Sequence, residues 1–475
     1  MPMTDHTWQR TKIVCTLGPA TDTPDVLRRM IAAGMDVARI NLSHGDHADQ
    51  ARRIRQVREL AGQMARPVAI LADLPGPKFR IGPLQGGAYR LIEGAQVALA
   101  DAPHDAETLP VRHRELLDAL RPGETVFLAD GSIELRVRAV AAGRVDCDVA
   151  IGGTLRTGSG INVPESRLPV LVPTADDRRH LAFAAAEDVD WIGVSFVQTA
   201  DDLARVRASL PAGRQPLLMA KIETRHALTD LDSIVASADA VMVARGDLGV
   251  ETDLAEIPLV QKRIIAVANA SARPVVTATQ MLESMVEHEH PTRAEVTDIA
   301  NAVLDGTDAV MLSAESAVGR NPVAAVHMLR RVLAATETEY VASMARDRLA
   351  SRGSVTADEA VGLAACQLAQ QLDARAIIVL ARSLAPVAAI ARFRPQATVI
   401  ALTDSERLYR SLALVWGVSP LHEASGLELP ACLAGAARWL SAHALARSGD
   451  RAVVLSDSTG SGNAVDTLRM VRLPA

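Results

Sequence analysis

The chain has 475 residues, too many for one hydrophobic core and enough for roughly two to four domains. Hydrophobic residues make up 49% of it, yet no apolar run approaches about 18 residues without a charge, which argues for a globular protein and against a membrane span. A formal net charge of -6 and only 3% aromatic residues leave no basic, stacking surface for nucleic acid.

Residues Met1 to Arg10 include Asp5, His6 and Gln9 where an export signal needs an apolar stretch, so the expected compartment is the cytoplasm. From there, short apolar or β-branched runs alternate with longer amphipathic stretches, the pattern of strand-helix units around a parallel sheet. Strands are expected at Lys12–Leu17, Val37–Leu42 and Val68–Ala72, then at Trp191–Phe196, Leu217–Ile222, Ala240–Ala244, Pro274–Ala278 and Ala309–Leu312. Eight such units predict an α/β protein built on a closed (β/α)8 TIM barrel, whose chemistry gathers where strand C-termini enter the next loops.

Between the third and fourth units the pattern changes to short alternating segments with glycine turns, including Glu124–Leu128, Ile133–Val140 and Arg144–Ala150. This predicts an inserted small β-barrel domain placed as a lid over a strand end. After a helix expected at Pro322–Glu339, strands at Ala376–Leu380, Thr398–Leu402 and Arg451–Ser456 alternate with alanine-rich helices, forming a C-terminal α/β domain. The expected divisions are 1–81 and 173–340 for the barrel, 82–172 for the lid and 341–475 for the last domain.

Cys15, Cys147, Cys366 and Cys432 are too scattered for a metal or redox motif and read as buried thiols. Lysine occurs only at Lys12, Lys78, Lys221 and Lys262 among 50 basic residues. Arginine presents a planar fork and lysine a compact charge, so these few lysines are candidates for places an arginine cannot serve, with chance as the plain alternative.

In the second strand the period of two puts Arg39, Asn41 and Ser43 on one face, which points inward in a barrel. Asp73 closes the next strand and can join them. Lys221 and Glu223 share a face at the end of the fifth unit; alone they could be a structural ion pair. The sixth strand, however, breaks into Arg245-Gly246-Asp247, which lets Glu223 and Asp247 converge on a hard divalent cation such as magnesium. Backbone amides at Gly246 and Asp247 would suit a substrate carboxylate. Thr279 ends the seventh strand facing the same mouth; it is either a strand former or a hydroxyl for substrate and proton relay.

The segments TKIVCTLGPA, VARINLSHG, AKIET, VARGDLGVE, TATQMLESM, PTRAEVTDIANAVLDGTDAVMLS and ADGSIELRV are long, collinear and spread over most of the chain, and in them the sequence resembles the pyruvate kinase family. The resemblance implies phosphoryl transfer from phosphoenolpyruvate to ADP, giving pyruvate and ATP in glycolysis. It implies Mg2+ or Mn2+ on Glu223 and Asp247, a substrate carboxylate at Gly246, Asp247 and Thr279, and its phosphate on Arg39. Lys221 would stabilise the transferring group, and Arg80, His44 and Asn41 would face the nucleotide. A homotetramer is implied as well.

Three departures stand out. Asp73-Leu74-Pro75-Gly76-Pro77-Lys78 carries lysine where most relatives carry an acidic residue. In potassium-requiring members, residues like Asn41, Ser43 and Asp73 hold the monovalent ion, so Lys78 is expected to replace K+ with its tethered ammonium. Ala381-Arg382-Ser383-Leu384-Ala385-Pro386 lacks the glycine and hydroxyls of a sugar-phosphate loop, leaving the polar segment Ser456–Asn463 as another place for an effector. Val197 and Gln198 follow Ser195-Phe196 where many relatives have basic residues. Two rival readings are a metal-dependent lyase acting on a pyruvate enolate and a catalytically silent regulatory paralogue.

Overall fold

The computed structural model describes residues 9–101, 108–166, 172–213, 215–350, 356–456 and 467–474. Eight parallel strands close into a barrel in sequence order: Lys12–Thr16, Val37–Asn41, Ala69–Asp73, Trp191–Val194, Leu217–Ile222, Ala240–Ala244, Val275–Ala278 and Ala309–Leu312. Closure comes from the first strand pairing with the eighth, Lys12 opposite Ala309 and Cys15 opposite Leu312. The expected strands are recovered, three with identical bounds and five with ends shifted by one or two residues. The fourth stops at Val194 because Phe196 takes a left-handed φ of 56°, a conformation incompatible with continued pairing.

The barrel interior is sealed at the strand N-termini by apolar packing that runs into the C-terminal region. Val14, Val37, Leu71, Trp191, Met219, Met242 and Val276 share one core with Leu412, Leu414, Val415 and Val418. Trp191 Nε1 donates to the Ser411 carbonyl at 3.2 Å. Burial on this end leaves the strand C-termini as the open mouth. Polar ties cross the same boundary: the fully buried Arg394 pairs with Asp308 at 2.7 Å, and Arg410 and Arg58 both hold the buried Asp190, at 2.8 and 2.9 Å.

The inserted region packs around its own core, including Leu99, Leu109, Val126, Leu128, Leu135, Val145 and Cys147. Expected as a small β barrel, it is among the described residues a six-stranded sheet in the order Ile161–Asn162, Thr125–Leu128, Ile133–Ala141, Arg144–Ile151, Gln96–Ala100 and Thr108–Pro110. Gly153–Arg156 and Ala88–Leu91 form a separate pair. Isolated bridges Arg80–Gly160 and Ile81–Val111 stitch the edges to the connector from the barrel.

The C-terminal sheet has five strands, ordered Val418–His422, Thr398–Thr403, Ala376–Leu380, Arg451–Ser456 and Thr467–Arg472. The two unexpected strands are the two edges. Val418–His422 contains Pro420, which reads as a strand breaker and is tolerated on an edge; Thr467–Arg472 is the one antiparallel member. The helix from Pro322 runs to Ala350, past the expected Glu339, since no proline or glycine interrupts it. All four cysteines are free and buried. Leu384 and Pro386 are buried at the start of the helix Ala385–Ala391, and Asp457 to Asn463 of the polar segment lie outside the described residues. Among the described residues no helix is long and apolar enough to cross a membrane.

Candidate active site

The mouth of the barrel is polar because the last inward residue of several strands is polar. Strands two and three pair with Asn41 opposite Asp73 and Arg39 opposite Leu71. Arg39 turns its guanidinium onto Asp73, with Nε 2.7 Å and Nη2 2.6 Å from Oδ2, and Nη1 donates to Thr16 Oγ1 at 2.8 Å. Gly193, opposite Asp73 across strands three and four, makes room for this carboxylate: a Cβ there would stand 3.1 Å from Oδ1.

Lys221, at the end of the fifth strand, is the centre of the cluster. Its Nζ donates to Ser195 Oγ at 2.6 Å and lies 2.7 Å from Glu223 Oε1 and 3.2 Å from Asp73 Oδ1. Ser195 Oγ donates its own proton to the Leu74 carbonyl at 2.8 Å, so it accepts from the ammonium. Burial disfavours the Lys221 charge, but Asp73 and Glu223 outweigh it and raise the ammonium's pKa above its usual value; the lysine is cationic at any working pH. Burial likewise works against Asp73, and Lys221 with Arg39 holds its carboxyl below the usual range.

Glu223 is fully buried, and its Oε2 accepts from the Phe196 backbone N–H at 2.7 Å. Burial first, then the charge of Asp247, pushes its carboxyl up, against the opposing pull of Lys221. Two neighbouring anions, one raising the other's proton affinity, are an arrangement that a shared cation would relieve. Glu223 Oε1 and Asp73 Oδ1 are buried against the ammonium at 2.7 and 3.2 Å, and a carboxylate oxygen with one such contact keeps a second lone pair for a further ligand. The donor set of carboxylate oxygens fits a hard divalent ion.

Asp247 sits in the first turn of the short helix Arg245–Glu251. A Cβ on Gly246 would lie 3.6 Å from Thr279 Cγ2 and 3.8 Å from its Oγ1, which places the two together across strands six and seven. Thr279 has a φ of 72°, a costly conformation for a β-branched residue, and its Oγ1 is buried without a partner. Arg245 holds the strain in place: it donates to the carbonyls of Ala278 at 3.2 Å and Thr279 at 2.5 Å while Asp298 anchors it at 2.6 Å.

The remaining expected residues line the approach. Asn41 Oδ1 accepts from the Ser43 N–H at 3.1 Å, closing the loop after the second strand, and His44 is exposed beside it. Arg80 donates to the Gly158 carbonyl at 2.8 Å. A cleft of 230 Å3 between lid and barrel is lined by Lys78, Arg80, Asp130, Asn162, Phe196 and Asp247, among others. Lys78 is exposed on its rim, whereas the ion-pair partners of Asp73 are Arg39 and Lys221. Sequence reasoning leaves Thr16, Ser195 and Arg245 without roles. Thr16 and Ser195 are ordinary polar residues in strand ends, and Arg245 is one arginine in an arginine-rich chain; only the fold shows what they touch.

A family model for the pyruvate kinase barrel domain matches residues 8–326, and one for the pyruvate kinase alpha/beta domain matches 359–471. A pyruvate kinase from Methylorubrum extorquens is 42% identical over 453 residues, covering 94% of each chain. Another from Thermococcus litoralis is 41% identical, covering 86% of this chain and 88% of its own. A crystal structure of a pyruvate kinase from Cryptosporidium parvum superposes with a TM-score of 0.92 at 32% identity, covering 98% of this chain and 96% of its own. That family uses magnesium and the substrates phosphoenolpyruvate and ADP. With the barrel, the further sheet, the C-terminal α/β unit and the charged mouth all in place, this chain belongs to the pyruvate kinase family, the phosphotransferases that make pyruvate and ATP.

Proposed function

We propose that the cluster around Lys221 carries out phosphoryl transfer from phosphoenolpyruvate to ADP in this chain, with the following division of labour. Glu223 and Asp247 hold Mg2+ or Mn2+, which supplies charge to the phosphoryl and enolate oxygens when bound. Arg39 grips the substrate phosphate, while Gly246, Asp247 and Thr279 receive its carboxylate. Lys221 stabilises the moving phosphoryl group, whose loose transition state needs positioning and electrostatics more than covalent help. Thr279 places its hydroxyl beside the enolate carbon for the proton that completes pyruvate. Arg80, His44 and Asn41 face the nucleotide phosphates.

The observation that supports this reading best is the Lys221 ammonium, permanently charged between Asp73, Glu223 and Ser195 at the barrel mouth. Asn41, Ser43 and Asp73 form the remnant of a monovalent-cation site, and Lys78, on the rim of the cleft that Arg80 and Asp247 line, substitutes for K+, which is then not required. The protein works in the cytoplasm as a homotetramer, with the exposed Leu254 and Leu259 as apolar surface for subunit contact. Its divisions are 1–81 with 173–340, 82–172 and 341–475.

Mn2+ titration followed by electron paramagnetic resonance tests the metal pair. Glu223→Gln and Asp247→Asn should each weaken Mn2+ binding by at least about tenfold; unchanged affinity in both would refute the assignment.

A further inference from the structure

Glu251 is the last residue of the short helix Arg245–Glu251, four positions and therefore about one turn after Asp247. It is only 7% exposed, an unusual place for a carboxyl unless it is tied to something. Its surroundings belong to both the lid and the barrel. Asn162, in the lid strand Ile161–Asn162, donates from Nδ2 to Glu251 Oε1 at 3.2 Å. The Arg225 backbone N–H, two residues beyond Glu223, faces the carboxyl and favours its charged form. Beside it, the lid turn at Gly131 lies near the helix: a Cβ there would stand 3.6 Å from Val250 Cγ1.

That turn is itself unusual. Ala129, Asp130 and Gly131 are all left-handed, with φ of 51°, 55° and 82°, and the Ala129 N–H donates to the Gly160 carbonyl at 3.1 Å. The turn and the strand bearing Asn162 are therefore one unit of the lid edge, meeting the helix at consecutive residues 250 and 251. The same lid edge and Asp247 line the 230 Å3 cleft. A lid that moves relative to the barrel must make or break this contact, and the helix that receives it carries Gly246 and Asp247 in its first turn.

We propose that Glu251 is a positioning residue that latches the lid, through Asn162, to the barrel segments carrying Glu223 and Asp247, so that lid placement and assembly of the metal and carboxylate site are coupled. The inference rests on the reading of Glu223 and Asp247 as the metal pair. Burial, then the nearby Asp247, pushes the Glu251 carboxyl up to about 7, so it serves Asn162 and Arg225 as an acceptor whether or not it is charged, and glutamine can retain one acceptor oxygen.

The test uses full-length Asn162→Ala, Glu251→Ala, Glu251→Gln and the double alanine variant. The measurements are kcat, KM for phosphoenolpyruvate and ADP, Mn2+ affinity without substrate, and amide hydrogen exchange over residues 125–163. The expectation is a loss in kcat of about tenfold in each alanine variant, a double variant no worse than Glu251→Ala, faster exchange in the lid, and recovery to within about threefold in Glu251→Gln. Mn2+ affinity of the wild-type protein reports on the metal reading separately. With that affinity intact, additive losses in the double variant, or an Asn162→Ala protein with wild-type kcat and lid exchange, would overturn the latch alone.

Discussion

Arg245 donates from its guanidinium to the backbone carbonyl of Thr279 at 2.5 Å, and Thr279 is held at a φ of 72°. A left-handed threonine persists only where its surroundings impose it, and Arg245, anchored by Asp298, supplies that constraint. The hydroxyl is thereby presented, unpartnered, beside Gly246. Replacing Arg245 by lysine keeps the charge and loses the fork that reaches two carbonyls. Arg245→Lys should lower kcat by about tenfold or more, with steady-state pyruvate formation as the measurement. A wild-type kcat would mean that Thr279 needs no such support.

Lys78 gives a prediction about ion requirement. In the wild-type protein, activity in tetramethylammonium buffer should equal that in potassium buffer. Lys78→Glu should be weakly active without alkali cations and recover at least about tenfold when K+ is added. A wild-type enzyme that needs K+ would show that the ammonium does not stand in for the ion.

Acidity enters through Glu251. Its folded pKa, about 7, lies above the ordinary 4.5, so the folded state keeps a proton that the unfolded chain releases. The group's stabilisation is complete below about pH 4.5 and is lost as pH rises through 7. One pKa unit corresponds to about 1.4 kcal/mol. The groups facing it, Asp247, Arg225 and Asn162, set the size of the effect. Between pH 5 and 8, thermal unfolding should show wild-type stability falling relative to Glu251→Gln by on the order of 2 kcal/mol. Parallel curves for the two proteins would rule out a buried carboxyl with a raised pKa.

Arg394 is fully buried between the barrel and the C-terminal sheet, paired with Asp308 and stacked on Trp416 at 4.8 Å. Arg394→Ala leaves the Asp308 charge buried without this partner and should cost about 3 to 5 kcal/mol in urea unfolding. A loss below about 1 kcal/mol would show that the apolar contacts between these units suffice.

The barrel is legible in the sequence because its strands are short apolar runs, several of them closed by a polar residue, and the starts of Val37–Asn41, Leu217–Ile222 and Ala240–Ala244 can be read directly. The period of two also identifies Arg39, Asn41 and Glu223, since alternation decides which side chains point inward. The missing parts depend on tertiary context. Pro420 makes an edge strand look like a break. The lid's strands are short, and pattern alone does not show whether their sheet closes. Ser195, Thr16 and Arg245 act through partners 20 or more positions away in sequence, and Glu251 differs from an exposed helical glutamate only by its burial. Family resemblance supplies roles for His44 and Arg80 that periodicity does not contain.

The most direct test of the account is pyruvate formation from phosphoenolpyruvate and ADP with magnesium, comparing wild type with Lys221→Ala while Mn2+ binding is followed in parallel. Removing the buried ammonium should reduce turnover by at least about a thousandfold and leave Mn2+ bound by Glu223 and Asp247. Turnover near the wild-type rate in Lys221→Ala would contradict the central role given to this lysine.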